Sequence, residues 1–128
     1  MSRSLEFAKR FLEEAKTYLD KGDPVQASEK FYKASEEAVK ALAAVRGLSE
    51  HEEASKRGRW TATLLFNAVE RLSETVEPKI RDWWDHAWFL HVEGFHEARL
   101  TVNLVKARAS YVESLVELAS RMSAPNKK

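Results

Sequence analysis

The sequence lacks cysteine altogether, which excludes disulfides, thiolate chemistry and any zinc site built with cysteine. It also lacks any apolar run near the roughly 20 residues that cross a bilayer, and its first residues lack the apolar core of a signal peptide. Neither sign of charge dominates, since 21 Lys and Arg face 20 Asp and Glu. We therefore expect a cytoplasmic protein without membrane contact, in which any nucleic-acid binding would use a local patch.

Glycine and proline are scarce, with four and three copies, and nearly all of them fall where helical periodicity breaks. Apolar residues spaced three and four apart predict a first helix from about Leu5 to Leu19. Asp23 and Pro24 form a capping pattern with Gln26, and this pattern starts a second predicted helix that continues to Arg46. The first third of the chain is therefore expected to be a pair of helices.

The middle of the chain is less regular. Residues 49–58 are polar, carry a capping-box pattern from Ser49 to Glu52, and are expected to form a loop or one or two helical turns. A third helix should follow Trp60, because apolar residues then recur at helical spacing, at Leu64, Leu65, Ala68, Val69 and Leu72.

Pro78 marks the start of a fourth helix that should run to about His91, and Gly94 is expected to break or kink the chain. The last predicted helix runs from about Glu97 to Met122, with Leu104 on its apolar face. No stretch shows the alternation that strands need. The predicted fold is all-α, a four- to five-helix up-and-down bundle formed by residues 1–122 as one domain, with a disordered tail at residues 123–128.

Most residues that could carry chemistry fall in one window, from Arg81 to Glu97. It holds all the histidines except His51, and all the tryptophans except Trp60. If the chain stayed α-helical there, about 100° per residue would create two opposite stripes. One stripe would carry Asp82, His86, Glu93 and Glu97, and the other Trp84, Trp88, His91 and Phe95.

Two segments resemble known families. Residues 27–47, ASEKFYKASEEAVKALAAVRG, resemble the second helix of HEPN-type domains. Residues 90–97, LHVEGFHE, resemble the signature of the archaeal PaREP family (type one), which is similar to HEPN. The resemblance implies a helical domain that is often dimeric. Many HEPN relatives are metal-independent endoribonucleases or toxins, whereas others bind only partners or nucleotides.

The HEPN nuclease motif is an Arg, a polar residue, and a His after four to six intervening residues, and Arg81, Asp82 and His86 fit it. The resemblance implies that His86 helps to deprotonate a ribose 2′-hydroxyl while Arg81 binds the scissile phosphate. An imidazole that titrates near neutral pH and a bidentate guanidinium suit those roles. The alternative is a surface histidine paired with Asp82 four residues earlier.

Two further groups are candidate ligand-binding residues. His91, His96 and Glu97 would form a metal or phosphate site if the chain breaks at Gly94, and otherwise serve as a core histidine and helix-capping residues. Residues 56–60 are basic beside a tryptophan and could bind nucleic acid, or they form a solvated loop whose Trp60 folds inward. The basic side chains are Lys56, Arg57 and Arg59.

The function predicted from the sequence is RNA binding or metal-independent RNA cleavage at the cleft of a homodimer, by Arg81 and His86. The alternative is a non-catalytic helical module that binds an unknown protein partner, with the Trp83, Trp84 and Trp88 cluster as core and interface. Neither hypothesis includes a metal ion or a cofactor.

Overall fold

The computed structural model describes residues 3–124, and every regular element in that range is helical. This confirms the prediction of an all-α protein. The elements in chain order are α1 (Arg3–Asp20), α2 (Pro24–Val45), α3 (Ser49–Arg57), α4 (Ala62–Thr75), α5 (Lys79–Phe89), a π-helix (Leu90–His96), α6 (Val102–Lys106) and α7 (Ala109–Ser123).

Helix α2 is the centre of the fold. Asp23 caps it by accepting a hydrogen bond from the backbone N–H of Gln26 at 3.0 Å, and Pro24 occupies its first turn. The helix packs against α1, α4, α5, α7 and the π-helix. Buried alanines of α2 allow these close approaches, and the larger side chains of Phe31 and Leu42 fill the core. Any side chain that α2 presents to the window from Arg81 to Glu97 is therefore held on a rigid support.

The structure corrects two of the predicted helix boundaries. Helix α3 is a full nine-residue helix rather than one or two turns, and its N-cap residue is Leu48, so Ser49 does not form the expected capping box. The predicted helix from Glu97 to Met122 is divided into α6 and α7 by a turn at Ala107 and Arg108. Because of that division Leu104 is 47% exposed rather than part of the apolar face.

The expected disordered tail is described only in part. Ser123 is the last residue of α7, and Ala124 follows it. The remainder of that predicted tail, residues 125–128, lies outside the described residues. Within residues 3–124, no helix is both long enough and apolar enough to cross a membrane.

Gly94 was expected to break or kink the chain, and the structure shows no break there, because a π-helix carries the chain through that position. In this helix the N–H of Glu97 donates to the carbonyl of Val92, five residues earlier, at 2.8 Å. Gly94 is buried against α2, where an added Cβ would lie 2.6 Å from Cβ and 2.1 Å from Oγ of Ser28. The glycine is therefore required for close packing of the π-helix on α2.

Candidate functional site

The π-helix and α2 bring together one carboxylate and two imidazoles. Nδ1 of His91 lies 3.1 Å from Oε1 of Glu29, and Nε2 of His91 lies 3.1 Å from Nε2 of His96. The Glu29 and His91 side chains are mostly buried, with 15% and 18% exposure, whereas His96 is exposed. The result is a chain of hydrogen bonds from the interior to the surface, which we call the Glu29–His91–His96 chain.

The π-helix explains why the two histidines meet. On an α-helix, residues five apart point about 140° away from each other. A π-helix bonds each N–H to the carbonyl five residues earlier, so such residues lie nearly above one another. His91 and His96 occupy these positions within Leu90–His96. The backbone irregularity that Gly94 allows is thus also what aligns the two rings.

Aromatic rings surround His91 and hold its orientation. Tyr32 of α2 stacks on it with a centroid distance of 4.1 Å and an interplanar angle of 24°. The ring centroids of Trp88 and Phe95 lie 5.2 Å and 6.3 Å from that of His91. The predicted stripe of Trp84, Trp88, His91 and Phe95 is continuous through these contacts. His91 is therefore a fixed link in the Glu29–His91–His96 chain rather than a mobile side chain.

The electrostatic surroundings of the Glu29–His91–His96 chain are acidic. Burial raises the pKa of Glu36 above its ordinary value, and the nearby Lys40 only partly offsets this effect. Burial, Glu36 and Glu29 together raise the pKa of the Tyr32 hydroxyl, so this group stays protonated.

Arg81 and His86 are not brought together within one protein molecule. Arg81 makes a bidentate ion pair with Glu70 of α4, through Nε at 3.0 Å and 2.9 Å and through Nη2. His86 stacks on Tyr111 of α7, with centroids 3.7 Å apart and planes at 11°. Its Nε2 lies 3.7 Å from Oδ1 of Asp82, which is the pairing that the alternative interpretation expects. The two side chains meet different neighbouring helices.

Glu97, the third residue of the predicted metal or phosphate site, follows His96 but lies outside the Glu29–His91–His96 chain. Glu97 lies beside Arg99, 3.9 Å from Nη2, and Arg99 also pairs with Glu93. Among residues 3–124, no group of three or more His, Asp or Glu side chains is arranged to hold a metal ion. The metal alternative for His91, His96 and Glu97 therefore has no support in the described part of the chain.

The basic segment near α3 lies on another part of the fold. Arg57 pairs with Glu53 at 2.7 Å, while Lys56 and Arg59 are exposed. Trp60 is partly buried against the core, as the loop interpretation expects. Helix α3 packs on α2 and α4, whereas the π-helix packs on α2 and α5. The basic segment is thus separate from the Glu29–His91–His96 chain.

Sequence reasoning missed the α2 residues of the site, Glu29, Tyr32 and Glu36. A signal for them exists, since they recur at spacings of three and four on the predicted second helix and so share one face. That face carries polar residues that are largely buried, which is unusual without partners. What the sequence could not show is that this face meets the π-helix.

These features define a class: an all-α protein whose central helix and a histidine-bearing π-helix together build a hydrogen-bonded chain. The protein belongs to the archaeal PaREP1/PaREP8 family, whose family model matches residues 3–116. This match confirms the family that the Leu90–Glu97 segment indicates.

Two solved structures are similar to the chain. A crystal structure of a Sulfolobus solfataricus protein is 40% identical, with a TM-score of 0.83, and the match covers 97% of this chain and 99% of that one. A solution structure of the Orf c02003 protein is 41% identical, with a TM-score of 0.80, and covers 95% and 92%. Among curated proteins, none matches the chain. These similarities support the fold over nearly its whole length and carry no activity with them.

Proposed function

We propose that the protein is HEPN-like and binds and cleaves RNA without a metal ion, with His96 taking the proton of a ribose 2′-hydroxyl. The observation that carries this proposal is the Glu29–His91–His96 chain, which ends in an exposed imidazole. The resemblance to HEPN-type domains supports RNA as the substrate, since many of those domains are metal-independent endoribonucleases. The π-helix adds support, because such irregularities are frequent at functional sites.

The hydrogen bonds support one arrangement of the protons. The Glu29 carboxylate only accepts, so Nδ1–H of His91 donates to it. Nε2 of neutral His91 then holds a lone pair, which accepts the Nε2–H of His96. Nδ1 of His96 is left as the free base of the chain. When this atom takes a proton, the Nε2 proton of His96 can move to His91, and Glu29 stabilises the positive charge.

The reaction that fits this base is internal transfer at phosphorus. His96 takes the 2′-hydroxyl proton, the 2′-oxygen attacks the adjacent phosphorus, and the bond to the 5′-oxygen breaks. The products are a 2′,3′-cyclic phosphate and a 5′-hydroxyl, and the proton held by the histidine pair passes to the leaving oxygen. A positioned base of this kind contributes typically about a hundred- to ten-thousand-fold to the rate.

The test is the cleavage of a labelled single-stranded RNA by the purified protein and its variants. His96→Asn should lower the rate by at least about a hundredfold. His91→Asn and Glu29→Gln should each lower it less, because they act on the base through hydrogen bonds. An all-deoxy oligonucleotide of the same sequence should remain intact, because it lacks the attacking hydroxyl.

The matched control is His51→Asn. His51 lies on α3, outside the Glu29–His91–His96 chain, so its loss should leave cleavage unchanged. Arg81→Ala and His86→Ala represent the assignment made from the sequence. If these two variants lose cleavage while His96→Asn retains it, the assignment to His96 is wrong and the Arg81 and His86 pair takes its place. If the parent protein cleaves no RNA, the proposed function fails as a whole.

A homodimer is part of the proposal, because HEPN-type domains often pair and place their sites in a shared cleft. Light scattering should then give twice the chain mass of 14.7 kDa. A mass of one chain at the concentrations of the cleavage assay would contradict the homodimer and its shared cleft.

A second candidate function rests on a separate observation, an aromatic groove between α4 and α5. Phe66, which is 39% exposed, and Trp88 lie there beside the nearly buried Trp84. Such a groove suits a non-catalytic helical module that binds a protein partner. This candidate predicts that partner binding survives the loss of His96 and fails when Phe66 is changed.

A further inference from the structure

The groove between α4 and α5 has a volume of ≈ 280 Å³, and its lining combines aromatic rings with acidic groups. Phe66, Val69, Asn67 and Glu70 come from α4, and Trp84, Asp85 and Trp88 come from α5. It shares Trp88 with the surroundings of His91 but contains no member of the Glu29–His91–His96 chain. The groove therefore needs its own explanation.

Its rings form a corner. The Phe66 ring stands at 80° to Trp88, with centroids 5.0 Å apart, and at 73° to Trp84, with centroids 6.4 Å apart. The two indoles are close to parallel, at 27°. Phe66 and Trp88 line the groove with partly exposed rings, and such rings pack against alkyl stems and attract ammonium groups.

The charges beside the rings have the sign that a cation requires. Asp85 lines the groove, and Glu70 lies on the facing helix. Burial raises the pKa of Asp85, and the neighbouring Asp82 and Glu70 raise it further. His86 and Arg81, on the same helix, act on the pKa of Asp85 in the opposite direction, and both oxygens of Glu70 hold the Arg81 guanidinium. Because Arg81 neutralises Glu70, Asp85 is the carboxylate of the groove lining that would attract a bound cation, and it would repel a phosphate.

We propose that this groove binds an alkylammonium group, and specifically the lysine side chain of a partner protein. The butyl stem of lysine would pack on Phe66 and Trp88, and its ammonium group would lie between the rings and the Asp85 carboxylate. Charge complementarity with the groove and the ring geometry argue for this occupant. The inference does not depend on RNA cleavage, because none of these residues belongs to the proposed catalytic chain.

The test is a titration with three capped amino acids, N-acetyl amides of lysine, norleucine and arginine, followed through the indole N–H signals of the ¹⁵N-labelled protein. Lysine amide should shift the signals of Trp84 and Trp88 and leave that of Trp60 in place. Norleucine amide has the same length without the charge and should cause much smaller shifts. Equal shifts with lysine and norleucine would overturn the cation site, and tighter binding of arginine would overturn lysine as its ligand.

Two variants locate the site. Phe66→Leu and Asp85→Asn should each weaken lysine binding by roughly 3- to 30-fold. Both side chains are exposed or near the surface, so the helical fold should persist, as circular dichroism would verify. Phe7→Leu is the matched control, because Phe7 lies on α1 and also contacts a cation, Arg10, at 5.2 Å. Unchanged affinity in both groove variants would contradict the proposal even if lysine binds elsewhere.

Discussion

Nε2 of His91 lies 3.1 Å from Nε2 of His96, although an α-helix would point these side chains apart. The π-helix makes this contact, and Gly94 allows the π-helix to pack on Ser28 of α2. The proposed chemistry, the backbone irregularity and one close helix contact are therefore linked. Each link gives a separate expectation.

Gly94→Ala should destabilise the protein. The new Cβ would meet Cβ and Oγ of Ser28 at 2.6 Å and 2.1 Å, and overpacking of this kind costs about 1–3 kcal/mol. Ser28→Gly removes both atoms, so in chemical denaturation Gly94→Ala should cost much less in the Ser28→Gly background than in the parent protein. If Gly94→Ala is equally destabilising with and without Ser28, the contact between these two residues is not what requires the glycine.

The tautomer of His91 is the next expectation. In neutral His91 the proton should be on Nδ1, because Glu29 accepts from that atom. Ring ¹⁵N spectra distinguish the two tautomers directly. Glu29→Gln should weaken the preference, while Glu97→Gln, which removes a carboxylate beside His96 but outside the chain, should leave it unchanged. A proton on Nε2 of His91 in the parent protein would contradict the order of donors in the proposed mechanism.

Glu50 should make the stability depend on pH. Hydrogen bonds from Arg71, at 3.1 Å to each carboxylate oxygen, hold the pKa of this nearly buried group below its ordinary value. The ionised form therefore stabilises the fold above the ordinary pKa, and this contribution is lost as pH falls through the lowered one.

Glu50→Gln should accordingly lower Tm by roughly 3–6 °C at neutral pH, and the difference should begin to shrink near the ordinary pKa of glutamate, about 4.3, and close below the lowered pKa of Glu50. The control is Glu52→Gln, on the exposed side of the same helix. A difference that stays constant between neutral and acidic pH would show that the loss of stability does not come from the ionised carboxylate.

Glu36 should behave in the opposite direction. Its pKa is raised, chiefly by burial, so ionisation of this carboxyl costs free energy in the folded state. Above the raised pKa this cost is fully present, and below the ordinary pKa of glutamate it disappears because both states are protonated.

Glu36→Gln should therefore raise Tm at neutral pH, and the gain should fade as pH falls through the raised pKa of Glu36 and be absent below about pH 4. Glu13→Gln on α1 is a control with an exposed carboxylate. A lower Tm for Glu36→Gln at neutral pH would mean that the ionised group is stabilising, through Lys40 or His91.

The sequence predicts α1, α2 and α4 well, because local signals specify them. Asp23, Pro24 and Gly22 mark the boundary between α1 and α2, and apolar spacing marks the buried faces. The division between α6 and α7 was missed, because residues 97–122 contain no glycine or proline to indicate it.

The site was predictable only in part. Its location between Arg81 and Glu97 and the aromatic stripe follow from composition and helical spacing. The meeting of His91 with His96 does not, because it depends on a contact between Gly94 and Ser28, which are distant in the sequence. Likewise, a short motif cannot reveal that Glu70 holds Arg81 or that Tyr111 stacks on His86.

The most direct test of the proposed function is the chemistry of the RNA ends. A DNA oligonucleotide with a single ribonucleotide offers one 2′-hydroxyl, so the account predicts one cut, on its 3′ side, with a 2′,3′-cyclic phosphate and a 5′-hydroxyl as products. His96→Asn should yield neither product, and His51→Asn should yield both. Cleavage by the parent protein that leaves a 3′-hydroxyl and a 5′-phosphate, or an unchanged yield from His96→Asn, would contradict the role assigned to the Glu29–His91–His96 chain.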